Sequence, residues 1–144
     1  MTGVQTCALP ISDFPTCLAC SQQKDTLFER IHDDIFVRCL ALLNLNRFII
    51  ILSYDLLFHS RDLHDFIFDY ISQSVDIKKS DILINFTHNH NAPSVMGYND
   101  HSSNQKYEDL LRVKTKICLD EAFSNLQSGS IDRKSTRLNS SHRL

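Results

Sequence analysis

The sequence predicts an α/β domain with elements in the order β-β-α-β-loop-α, forming part of a mixed sheet. Three observations carry that prediction. Two strongly apolar segments lie close together at 35–43 and 48–54, apolar residues recur at helical spacing from Leu63 onward, and a short apolar segment at 81–86 runs directly into a polar loop. The length of 144 residues, with 42% hydrophobic and 22% charged, suffices for a core and excludes wholesale disorder.

Each element follows from its residues. Ile35 to Leu43 (IFVRCLALL) is apolar except for Arg38 and reads as a strand. Asn44 to Arg47 is a polar break, and Phe48 to Tyr54 (FIIILSY) is β-branched and almost wholly apolar, so the two form a hairpin about a short Asn-containing turn. Continuous rather than alternating apolarity predicts that the second strand is covered on both faces. Ser60 offers a helix cap, and Leu63, Phe66, Ile67, Tyr70, Ile71 and Val75 then draw a one-sided stripe. After a polar turn at Asp76 to Ser80, Asp81 to Phe86 (DILINF) gives a third strand, expected to run parallel to the second through a right-handed crossover. Thr87 to Gln105 is rich in His, Asn and Ser and reads as a long loop. A last helix from about Gln105 to Leu126 is expected to bury Tyr107, Leu110, Leu111, Ile117, Cys118 and Ala122. No apolar run exceeds five residues, far from the ~20 that cross a bilayer, so no transmembrane segment is expected.

The two ends do not belong with this pattern. Thr2 to Ile11 can be written ACT GGA GTT CAG ACG TGT GCT CTT CCG ATC. The reverse complement, GAT CGG AAG AGC ACA CGT CTG AAC TCC AGT, translates in order to Asp132 through Ser141. A GTG start codon behind Met1 would supply His142 as well. Ten consecutive codons do not match by chance, and both ends resemble a translated short-read sequencing adapter. Residues 1–11 and 132–144 are therefore expected to be adapter-derived and set aside from fold reasoning, leaving 12–131 as the biological segment. The formal charge of the whole chain is −2; over residues 12–131 it becomes −5, with 11 Lys and Arg against 16 Asp and Glu. The basic tail is then no nucleic-acid patch, and an acidic segment without clustered Lys and Arg excludes general nucleic-acid binding.

Thr87-His88-Asn89-His90-Asn91-Ala92-Pro93 is the sharpest chemical feature. Ligands of open α/β sheets sit beyond the carboxyl ends of strands, where these histidines fall. Two residues apart, His88 and His90 share a side if extended geometry continues past the strand. Two converging imidazoles suit a borderline-soft metal such as Zn²⁺; alternatively one holds the metal while the other serves a substrate oxyanion. Surface histidines in a polar loop remain the plain alternative. The metallo-β-lactamase pattern is not met, because Asn91-Ala92-Pro93 offers no Asp-His after the second His. A TIM-barrel amidohydrolase is disfavoured, because a hairpin and a helix precede the motif.

With these residues in view, the chain resembles the neutral/alkaline ceramidase family. His32-Asp33-Asp34-Ile35-Phe36-Val37-Arg38-Cys39-Leu40-Ala41-Leu42 is similar to that family's DPLYARAL strand, and Ser53-Tyr54-Asp55-Leu56-Leu57 to its S-x-D-L-L strand end. Thr87 to Pro93 is similar to THTHSGP, with both His and the Pro kept. The blocks span most of 12–131 but only a minor N-terminal part of the family's catalytic domain. The resemblance implies a zinc-dependent amide hydrolase that splits the N-acyl bond of ceramide or a similar N-acyl lipid into sphingosine and fatty acid. Carried over, His88 is the zinc ligand and His90 the catalytic helper at the substrate oxygen. The family's further ligands, another His, a Glu and a Tyr, have no counterpart here, so the segment alone is expected to be inactive. Asn89, Asn91 and Ala92 replace the family's Thr, Ser and Gly, which leaves the substrate open. The alternatives are a metal-dependent hydrolase of another amide or ester, and a non-catalytic interaction domain whose polar loop holds a partner.

The remaining polar residues read mainly as structural. Asp55 at a strand end either supports the site or braces the fold, and the structural role is favoured. His59 and His64 flank a helix start and are expected to face solvent. Cys17-Leu18-Ala19-Cys20 lacks a second Cys or His pair for a zinc ribbon, and Cys39 and Cys118 fall on apolar stripes as small core residues. Asn85-Phe86-Thr87 fits a glycosylation sequon but ends a strand. Tyr98, Asp100 and His101 belong to the long loop, and Phe66 and Tyr70 are expected in the core rather than in a lipid groove.

Overall fold

The computed structural model describes residues 2–9, 16, 18–19, 28–59, 61–95 and 102–129, with 2–9 and 102–104 described as backbone. Strands β1 (Thr2–Leu9), β2 (Ile35–Asn44), β3 (Arg47–Tyr54) and β4 (Ile82–Phe86) form one sheet in that order, with helices α1 (Arg61–Ile71) and α2 (Ser102–Ser124). The β1–β2 and β2–β3 pairs are antiparallel and the β3–β4 pair parallel. Over residues 12–131 this is the expected α/β arrangement, a three-stranded mixed sheet with two helices. Strand β1 lies wholly within 1–11.

The hairpin turns on Leu45 and Asn46, with φ of 46° and 66°. Both central residues are left-handed, as a two-residue type I′ connection requires, so the register Asn44↔Arg47 through Val37↔Tyr54 is set by the turn. Helix α1 supplies the crossover that a parallel pair demands. It ends at Ile71, earlier than the apolar stripe suggests, and Val75 reaches the core from the following turn, where its N–H donates to the Ile71 carbonyl at 3.1 Å. A 3₁₀ turn at Lys79–Asp81 leads into β4. There Arg47 Nη2 donates to Asp81 Oδ1 at 2.6 Å, and that bond holds the Asp81 carboxyl below the usual carboxylate range.

The core lies between one face of the sheet and both helices. Ile35, Val37, Cys39 and Ala41 of β2, Ile50, Leu52 and Tyr54 of β3, and Ile82 of β4 meet Leu63, Ile67 and Ile71 of α1 and Tyr107, Leu111, Cys118, Leu119 and Ala122 of α2. Cys39 and Cys118 are small buried core residues, as expected. Phe66 and Tyr70 are half-buried between the helices: the Arg112 guanidinium stands 4.8 Å from the Phe66 ring centre, and the Tyr70 hydroxyl donates to Asp120 at 2.7 Å.

Two expectations are corrected. Strand β3 is covered on one face only, because both helices pack on the same side; Ile49 is 43% exposed and Ile51 half-buried, whereas Ile50 and Leu52 are fully buried. Ile117 is 41% exposed, and its place in the core face of α2 is taken by Thr115. Among the described residues, no helix is long and apolar enough to cross a membrane. Ser60, Cys17, Cys20, Tyr98, Asp100 and His101 lie outside the described residues, as do residues 132–144.

Candidate functional site

Because β3 and β4 run parallel, their carboxyl ends emerge side by side, with Tyr54 paired to Phe86 and the two rings stacked 5.6 Å apart. The segments that follow stay fastened to each other. Thr87 N–H donates to the Tyr54 carbonyl at 2.9 Å, and Asn89 N–H to the Leu56 carbonyl at 3.2 Å. The start of β2 joins the same corner: Asp55 N–H donates to the Phe36 carbonyl at 3.0 Å, and Phe36 N–H donates back to Asp55 Oδ2 at 3.1 Å. Arg38 Nη1 reaches both Asp55 oxygens, at 3.0 and 2.9 Å. Asp55 is thus engaged in holding β2 and β3 together.

Extended geometry ends with β4 at Phe86, and His88 takes a left-handed φ of 61°. The histidines come together nonetheless. Their ring centres are 4.9 Å apart, edge to face at 80°, and both residues are exposed. Asn89 Oδ1 accepts the Asn91 N–H at 2.9 Å in an Asx turn that shapes the stretch between them. The loop is then anchored: Ala92, Pro93, Ser94 and Val95 are buried, Leu18 bridges to Pro93, and Ala19 N–H donates to the Ala92 carbonyl at 2.9 Å.

Beside this turn lies a cavity of about 460 Å³, within the range of small-molecule sites. Asp55, Asn89, Asn91 and Pro93 line it together with Arg30, Asp33 and Asp34. Neither His88 nor His90 is among its lining residues. Within the motif it is Asn89 and Asn91 that line the cavity. Asn89 and Asn91 carry no site signal in the sequence beyond their alternation with the histidines. Among the described residues, no group of three or more His, Cys, Asp or Glu side chains is placed to hold a metal ion. The imidazoles offer two nitrogen donors of the kind zinc takes, whereas a catalytic zinc commonly uses three protein ligands.

No protein-family model matches this chain, and no curated protein matches it.

The flanking histidines do not face solvent as expected. The His59 side chain is fully buried, with Nε2 3.0 Å from Glu108 Oε2 on α2. His64 is half-buried, its Nε2 3.3 Å from the Ile82 carbonyl. Both are drawn in because α1 is flanked by α2 and β4, contacts that local sequence does not announce. Asn85 of the sequon is exposed on β4.

Proposed function

We propose that residues 12–131 are a fragment of the N-terminal catalytic domain of a zinc-dependent amide hydrolase resembling neutral ceramidase, acting on ceramide or a similar N-acyl lipid. The observation supporting this reading is the meeting of the three resembling blocks at one corner. The block at 32–42 is bonded to Asp55 of the second block, and the second is bonded through Tyr54 and Leu56 to Thr87 and Asn89 of the third.

In this reading His88 is a metal ligand, and His90, its ring 4.9 Å away, donates a hydrogen bond to the substrate's carbonyl oxygen as charge builds there. Bound zinc would polarise that carbonyl and lower the pKa of an attacking water. Asp55 and the two asparagines hold the corner in shape. The other ligands known in the family lie outside this segment, so the segment alone is inactive.

The test is made on the full-length natural protein, assayed for N-acyl amide hydrolysis and for bound zinc. His88→Ala is expected to lose both zinc and activity. His90→Ala is expected to keep zinc and lose about 10²–10³-fold in kcat, the scale of one oxyanion donor. Absence of N-acyl hydrolysis, or full zinc occupancy in His88→Ala, would overturn the reading.

A further inference from the structure

Among the described residues neither imidazole of the His88–His90 pair makes a hydrogen bond, so the backbone that carries the rings sets how they meet. The two residues are held by different means. His88, at its left-handed φ of 61°, is flanked by main-chain bonds from Thr87 N–H to the Tyr54 carbonyl and from Asn89 N–H to the Leu56 carbonyl. His90 is instead the middle residue of a turn closed by a side chain, in which Asn89 Oδ1 accepts the Asn91 N–H at 2.9 Å. Resting on the catalytic reading of this pair, we propose that Asn89 is the positioning residue for His90, its carboxamide closing the turn that sets the His90 ring against His88.

Turn chemistry explains the residue found there. Such a turn needs a side-chain oxygen that reaches the N–H two residues on; Asn and Asp supply it, and Ser and Thr do so more weakly. Asn89 is not left-handed, so a β-branched threonine fits its backbone. The family that the motif resembles has threonine at this position, and asparagine in its place keeps the acceptor. Asn91 differs in kind, because it gives the turn its main-chain N–H, while its side chain lines the cavity.

The consequence falls on one histidine and spares the other. Loss of the Asn89 carboxamide frees His90, whereas His88 keeps the main-chain bonds on either side of it. A group that donates to a developing oxyanion acts only from the right place, and a displacement of about 1 Å costs about 10²-fold in rate.

The ring contact is read first, by nuclear magnetic resonance on the full 144-residue chain with labelled histidines and no metal or substrate. A through-space cross-peak between the His88 and His90 rings is expected in the parent chain, in Asn91→Ala and in Asn89→Thr, and is expected to vanish in Asn89→Ala. A cross-peak absent from the parent, kept in Asn89→Ala, lost equally in Asn91→Ala, or not restored by threonine would overturn the proposal. In the full-length natural protein, Asn89→Ala is expected to keep zinc and lose about 10²-fold in kcat. The Asn89→Ala, His90→Ala double variant is expected to be no slower than His90→Ala alone, since a residue acting through another adds nothing once that other is gone. Losses that multiply in the double variant would overturn the positioning role. A full-length protein without N-acyl hydrolysis would sink the catalytic reading alone, because the ring contact is measured independently of activity.

Discussion

Tyr54 shows how a single side chain ties the sheet to its helical cover. It is wholly buried, and its hydroxyl lies 3.0 Å from Thr115 Oγ1 on α2. Burial pushes its ionisation far above the usual phenol range, so the hydroxyl keeps its proton at any ordinary pH. Thr115→Val preserves volume but leaves that hydroxyl unpaired in the core, and is expected to cost about 1–3 kcal/mol. Tyr54→Phe is expected to cost less, because the freed Thr115 hydroxyl can turn to a carbonyl of its own helix. Denaturant titration of the two variants checks the order; equal losses would mean that the bond contributes little. Thr115 is not legible in the sequence, because apolar residues alone do not mark it as part of the buried helix face. Tyr107, Leu111, Thr115, Cys118 and Ala122 are spaced by four, four, three and four along one face, and the threonine hides the rhythm. Ile117 misleads for the opposite reason, being apolar but off that face.

Among the elements, those marked by dense apolar residues were legible to within a few positions. The hairpin, α1, β4 and α2 all stand where patterning put them, since strand and helix periods impose different spacings on a buried face. The cover of β3 was not legible, because a run of isoleucines reads alike whether one face or both are packed. Nor was the left-handed turn at His88, which a polar loop does not encode by composition. The hairpin loop carries its own penalty. Leu45 is 93% exposed and sits at φ 46°, a region unfavourable for a side chain with no local hydrogen bond to offer. Leu45→Asn is expected to raise stability by about 0.5–1 kcal/mol, since asparagine tolerates this conformation and no packing is lost. The measurement is the denaturation midpoint, and a fall would show that Leu45 makes contacts its exposure does not suggest.

For the whole molecule, the one-sided placement of the helices decides how the isolated chain behaves. On the face away from them, Ile51 stands between Leu40 and Leu83, and Ile49 opposite Leu42, in a contiguous apolar surface. Leu83 is 58% exposed and Ile49 43%. Parallel strand pairs are normally covered on both faces, and exposed apolar patches drive association. The isolated chain is therefore expected to bind a hydrophobic dye, to self-associate as concentration rises, and to melt without a sharp cooperative transition. In the Ile49→Lys, Leu83→Lys double variant, dye binding and light scattering should both fall while the far-ultraviolet circular dichroism is kept, because neither side chain belongs to the helix-covered core. Dye-free, monomeric behaviour of the parent chain with a cooperative melt would instead mean that the sheet needs no second layer. The uncovered face, rather than the α1–α2 core, is where added cover is expected to raise this segment's stability.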